Sequence, residues 1–231
     1  LCGRNFEYYS EDPVVVGVTG TAATLGVQKS KGVGVTIKHY ALNSQETSRN
    51  KENNTVSERA IREIYLKGFE MVVKQAQPMA IMTSYNQNNG RPAADDYDLC
   101  TAFARDEWGF KGMIMTDWTT TEYGPDCTAS GCMRAGNDLV MPGAFSDRDN
   151  LSANLTGENG VDCIYDAKTF MCIRDSLDIV KRIISLTVNF PRARGVLQVK
   201  YEADNYQFLT LHILEGKYYS EEEFQQIWGA L

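Results

Sequence analysis

Gly112-Met113-Ile114-Met115-Thr116-Asp117-Trp118 decides the architecture. A short apolar run that stops on a polar and aromatic pair reads as a buried strand reaching the rim of a sheet. Gly109 and Gly112 bracket the return into it, and a helix is expected immediately before, over residues 99–108. Upstream the pattern repeats. Residues 79–84 form a second such strand, preceded by Pro78, ending in Tyr85-Asn86 and followed by the turn residues Asn89-Gly90. Before it, Ile61, Ile64, Tyr65, Gly68 and Val72 recur at helical spacing, with Thr55 and Glu58 at capping-box spacing ahead of them. The first strand is placed at residues 33–37, rich in β-branched side chains and ending in Lys38-His39, with a polar loop over 43–54. Downstream, residues 139–141 make a fourth strand before Pro142-Gly143.

Four strand-helix units within about 110 residues match the repeat of a (β/α)8 barrel, whose whole takes roughly 250 residues. The fold class expected is therefore α/β: about the second half of a TIM-like barrel over residues 1–145. A doubly wound sheet is the alternative, but its Gly-x-Gly-x-x-Gly fingerprint follows none of the strands; Gly32-Val33-Gly34 lies before or within one. Beyond Gly143 the rhythm stops. Residues 146–176 are expected to be an irregular junction, and 177–231 an unrelated tail with helices at 177–186 and 220–228. Met171-Cys172-Ile173-Arg174-Asp175-Ser176 resembles a translated sequencing adapter, so the tail is expected to be foreign to the barrel.

The composition sets outer limits. The chain has 231 residues, 30 acidic and 23 basic groups and a formal charge of -7, which disfavours nucleic acid as a partner. With 43% hydrophobic and 23% charged residues it is composed like a globular domain. No apolar run approaches the roughly 18 to 20 residues of a membrane span, so no membrane association is expected. Six cysteines are too scattered for a disulfide scaffold, and Cys127 and Cys132 lack zinc-site spacing, so no metal is expected. That close pair is compatible with a loop disulfide or with two free thiols. The opening Leu1-Cys2-Gly3-Arg4, without Met or a leader, reads as an internal fragment.

In a parallel barrel, chemistry collects where the carboxyl ends of the strands converge. Here those ends carry Lys38-His39, Tyr85-Asn86, Asp117-Trp118 and the turn at Pro142-Gly143. A carboxylate beside a cation, an imidazole, a phenol and an indole suits a carbohydrate: the carboxylate meets a cationic sugar carbon, the donors grip hydroxyls, and an aromatic face covers the ring. Each residue also has a plain structural reading. Asp117 could cap the following helix, Lys38 could be solvated, and the aromatics could be packing.

The stretches Gly3 to Pro13, Ile37-Lys38-His39-Tyr40-Ala41-Leu42-Asn43 with Gln45-Glu46-Thr47, Ser57-Glu58-Arg59-Ala60, Met82-Thr83-Ser84-Tyr85-Asn86, Trp108-Gly109-Phe110-Lys111-Gly112 and Met115-Thr116-Asp117-Trp118 together resemble glycoside hydrolase family 3 β-glucosidases. Ala135-Gly136-Asn137-Asp138 and Met141-Pro142-Gly143 continue the pattern. The resemblance implies a retaining mechanism with Asp117 as the nucleophile. It makes Arg4, Lys38 and His39 ligands of sugar hydroxyls, Tyr85 the phenol beside the nucleophile, and Trp118 a stacking platform. It gives Asp138 a structural role and leaves Glu46 unassigned. It implies a β-glucoside or oligosaccharide substrate, no cofactor, and a location outside the cytoplasm. The absence of a Lys-His-Phe-Pro-Gly-His stretch disfavours N-acetylglucosaminides, and Trp118 favours a glucoside over a xyloside.

Retaining glycosidases need two carboxyl groups, and in the family the acid/base comes from a region after the barrel. None is assigned in this chain; Glu122 and Asp126, although close to Asp117 in sequence, are not taken as proton donors. The chain is thus expected to be inactive alone and, with open strand edges, prone to aggregate. The competing function class is a non-catalytic carbohydrate-binding fragment using the same Lys38, His39 and Trp118. A phosphate-binding barrel enzyme ranks last for want of a glycine-rich loop.

Overall fold

The structure, a computed structural model, describes residues 4–156, 196–201 and 209–214. Helix α1 (Pro13–Gln28) opens the wall, and the sequence reading did not assign it. Its β-branched start, Val14-Val15-Val16, looks like a strand. The signals that win are Asp12, whose carboxylate accepts the Val14 and Val15 amides, and Pro13 at the first helical position.

Strand β1 runs Thr36–Tyr40 rather than over 33–37. The shift has a packing reason: Val33 is exposed, while Tyr40 is fully buried and donates its hydroxyl to the Leu99 carbonyl at 2.9 Å. The two-residue strand β2 (Asn53–Asn54) follows. The next helix begins at α2 (Glu58–Ala60), passes through a π-turn at Ile61–Tyr65 and continues as α3 (Lys67–Ala76). Its cap is Ser57, whose hydroxyl accepts the Ala60 amide, and not Thr55. Strand β3 (Ala80–Thr83) falls where the sequence placed it. The short pair β4 (Gln87–Asn88) and β5 (Arg91–Pro92) precedes a π-helix, Asp98–Glu107, and then strand β6 (Met113–Met115).

The strands β1, β3 and β6 pair in parallel and in chain order, with Ile37 opposite Ile81 and Ile81 opposite Ile114. The fourth expected strand shrinks to a single parallel bridge between Met115 and Leu139. Neighbours in sequence order with helices between them form the wall of a (β/α)8 barrel. Gly112 serves the close pairing, because a Cβ there would collide with the Met79 carbonyl. Behind the sheet, Tyr40, Leu66, Val73, Ile81, Trp108 and Ile114 make one core, and Tyr40 meets Phe69 and Trp108 edge to face. Beside β1, α1 and α3 leave a groove of about 740 Å³ walled by Val16, Gly20, Val35, Ile37 and Phe69.

Past β6 come α4 (Thr120–Tyr123), α5 (Ala129–Ala135) and α6 (Phe145–Thr156). The last is a helix where an irregular junction was expected. The adapter-like hexapeptide and the expected helices at 177–186 and 220–228 lie outside the described residues. The described parts of the tail, β7 (Val196–Tyr201) and β8 (Leu209–Leu214), form an antiparallel pair, which a helical tail did not anticipate. Among the described residues, no helix is long and apolar enough to cross a membrane.

Candidate active site

The carboxyl ends of β1, β3 and β6 bring their polar residues to one rim, and an asparagine lattice holds the loops that carry them. The Ala41 carbonyl accepts from Ser84 Oγ at 2.9 Å, from Asn86 Nδ2 at 3.1 Å and from Asn88 Nδ2 at 3.3 Å. Asn54 Nδ2 donates to the Leu42 carbonyl at 2.9 Å. The segment after β1 is thereby fastened to the segment after β3, so His39 and Tyr85 keep a fixed separation. The amide donors of this lattice are bonded, which rigidifies the site, while Asn86 Oδ1 stays buried without a partner.

Asp117 follows β6 and is buried, with 7% exposure. One carboxylate oxygen accepts the Trp118 amide at 2.7 Å, and the other lies 3.4 Å from His39 Nε2. The Tyr85 phenol lies close enough to the same carboxylate to feel its charge. The helix that follows takes Thr119 as its N-terminal flank, with no side-chain cap, so Asp117 does not do the capping work that was its plainer reading. Thr119 donates its amide to the Met141 carbonyl at 2.7 Å, and Thr116 Oγ1 accepts the Met141 amide at 2.8 Å. These two bonds set the backbone angle from which Asp117 projects.

Electrostatics around the carboxylate follow from burial. His39 is held below the usual imidazole range, chiefly because burial disfavours its charged form; Asp117 pulls upward, while Lys38 and Arg4 push it further down. The imidazole is therefore neutral at pH 7. Burial and the Asp117 charge push the Tyr85 phenol up to about 12, which keeps it a donor. Neutral donors around an anion leave its charge available for chemistry.

Arg4 and Lys38 meet at a residue that sequence reasoning left without a role. Glu7 takes Arg4 Nη2 at 2.6 Å and Lys38 Nζ at 2.7 Å, and these two cations pull its carboxyl down to about 2, Lys38 most strongly. Its spacing of three from Arg4 was the available signal. Glu46 likewise bonds Arg49 at 2.8 Å and Asn43 at 3.1 Å. Trp118 stands at the rim with its indole half exposed, at 54%. The structure thus gathers Arg4, Lys38, His39, Tyr85 and Asp117 into one cluster and sets Trp118 at its margin. Glu122 is exposed on α4 and Asp126 in the loop beyond. Asp138 is taken up elsewhere, accepting Arg105 Nη2 at 2.6 Å and the Ile114 amide at 2.8 Å. Cys127 and Cys132 are free thiols, with sulfurs 3.6 Å apart.

A parallel strand-helix wall whose rim collects a carboxylate, an imidazole, a phenol and cations is part of a (β/α)8 barrel with its polar groups at the carboxyl ends of the strands. The profile of the glycosyl hydrolase family 3 N-terminal domain matches residues 2–154, and the chain belongs to that family. It is 50% identical over 148 residues to beta-glucosidase A of Butyrivibrio fibrisolvens, covering 64% of this chain and 17% of that one. It is 47% identical over 147 residues to an exo-alpha-(1->6)-L-arabinopyranosidase of Bifidobacterium longum, covering 64% and 19%. Among solved structures, it resembles beta-glucosidase 3B of Thermotoga neapolitana in complex with glycerol. That match has a TM-score of 0.69 and 39% identity, covering 82% of this chain and 25% of that one. The chain therefore spans less than a fifth of these curated relatives.

Proposed function

We propose that this chain carries the nucleophile half of a retaining, exo-acting β-glucosidase, and that Asp117 forms the covalent glycosyl-enzyme. The observation that carries this reading is the environment of Asp117: a buried carboxylate 3.4 Å from the neutral His39 imidazole and near the neutral Tyr85 phenol, at the end of a barrel strand. An Asp117 oxygen attacks the anomeric carbon while the bond to the aglycone oxygen breaks, and the aglycone leaves with the electron pair. Water then hydrolyses the glycosyl ester, returning the sugar and the carboxylate. Arg4, Lys38 and His39 hold sugar hydroxyls, and Trp118 covers a face of the ring.

Two other carboxylates lie near this cluster: Glu7, held low by Arg4 and Lys38 and so a poor proton donor at pH 7, and Glu46, paired with Arg49. On this reading the acid/base is none of the described residues, and the chain by itself does not turn over ordinary glucosides. An activated aryl leaving group needs no proton. Rates on 2,4-dinitrophenyl and 4-methoxyphenyl β-glucosides test this: release of dinitrophenolate with none of methoxyphenol supports it, and equal release of both refutes it. Running the α-L-arabinopyranoside beside the glucoside decides the sugar, since relatives of both names match at similar identity.

A further inference from the structure

Arg49 lies in the polar loop after β1, off the strand ends, yet its guanidinium carbon stands 4.6 Å from the centre of the Tyr85 ring. The group does not drift there. Arg49 Nη1 donates to one Glu46 oxygen at 2.8 Å, and the other Glu46 oxygen accepts from Asn43 Nδ2 at 3.1 Å, with Asn43 itself buried. Ser48 adopts a left-handed turn with φ 56°, and the Arg49 amide donates back to the Glu46 carbonyl at 3.3 Å. The chain therefore doubles back, so that the arginine three residues after the glutamate pairs with it and faces the aromatic ring.

We propose that Arg49, anchored by Glu46, is a positioning residue that clamps the Tyr85 ring so that its hydroxyl stays turned toward the Asp117 carboxylate. This rests on Asp117 as the nucleophile. A planar guanidinium covers an aromatic face in a way an ammonium cannot, and one of its nitrogens is held by a Glu46 oxygen. With that face covered, the ring cannot swing away and the phenol stays turned toward Asp117. The positive charge also opposes the rise that burial and Asp117 impose on the phenol. An ion pair present only to decorate the loop would leave Tyr85 untouched.

Fluorine NMR of the chain grown with 3-fluorotyrosine reads this without any turnover, because the Tyr85 resonance is identified by its loss in Tyr85→Phe. In the parent, that resonance titrates above the usual phenol range. Asp117→Asn lowers its midpoint. Arg49→Ala raises the midpoint by about 0.5 to 1 pH unit and moves the shift. Arg49→Lys restores the midpoint but not the shift, since the charge returns and the stack does not. Glu46→Gln, which keeps its shape, moves the Tyr85 shift in the same direction as Arg49→Ala and guards against a folding failure in that variant. A Tyr85 signal unmoved by Arg49→Ala and by Glu46→Gln, yet moved by Asp117→Asn, overturns the clamp and leaves the nucleophile reading standing. A signal indifferent to Asp117→Asn removes the contact on which both depend.

Discussion

Asp117 and Asp138 flank β6, are equally buried at 7% exposure, and are held in opposite ways. Asp138 is bound by a guanidinium at 2.6 Å and a strand amide at 2.8 Å, so its charge is spent fastening Arg105 to the sheet. Asp117 has a neutral imidazole, a phenol and one amide for company, at the end where the loops converge. The contrast teaches how to tell a structural carboxylate from a proposed nucleophile. Burial is common to both; what differs is whether a cation has already claimed the oxygens.

The sharpest way to break the comparison is to remove each carboxylate and unfold the protein in urea. Asp138→Ala leaves the nearly buried Arg105 with carbonyl partners but no carboxylate and is expected to cost about 3 kcal/mol, at the low end for breaking a buried ion pair. Asp117→Asn keeps shape and most hydrogen bonds and is expected to cost no more than about 1 kcal/mol. Similar losses at both sites would erase the distinction.

A pH series sharpens the same contrast with a smaller effect. The His39 pKa lies below its free value of 6.5, so as pH falls below about 6.5 the unfolded chain takes up a proton that the folded chain refuses, and stability drops until the folded value is passed. Asp95 behaves the other way. Burial raises it from 3.8 to about 6, so the folded chain takes the proton first and stability rises as pH falls from about 6 toward 3.8. His39→Gln should remove the first slope and Asp95→Asn the second, with urea midpoints read from pH 7.5 to 4. Slopes unchanged in both variants would contradict these environments.

The smallest expected effect on stability is at Glu7, whose pairs with Arg4 and Lys38 are partly open to solvent. Glu7→Gln should change unfolding by less than about 1 kcal/mol. It should nevertheless slow the reaction with an activated glucoside by about tenfold, because the two cations proposed to grip the sugar lose their common anchor. A stability loss matching that of Asp138→Ala would make Glu7 a structural residue instead.

How far the sequence could be read follows from where its signals are local. Strand β3 and the end of β6 announced themselves as short apolar runs with polar termini, and with them the positions of Tyr85 and Asp117. Helix α1 was hidden because Val14-Val15-Val16 favours a strand by propensity, and only the Asp12-Pro13 cap says otherwise. Strand β1 slid by three residues because pairing with Ala80 and Ile81 and the burial of Tyr40 outweigh the β-branched run before it. Thr55 and Glu58 had the spacing of a capping box, but Ser57 sits where the helix begins. In the site, residues at strand ends were legible; Glu7 and Arg49 were not, because their partners come from other loops and only the folded chain brings Lys38 to one and Tyr85 to the other.

The most direct measurement is to expose the chain to the 2,4-dinitrophenyl glycoside of 2-deoxy-2-fluoroglucose, digest it, and locate the added sugar by mass spectrometry. The account predicts one labelled peptide, with the ester on Asp117, and no labelled peptide from Asp117→Asn. A label on any other carboxylate, or labelling that survives Asp117→Asn, would contradict it.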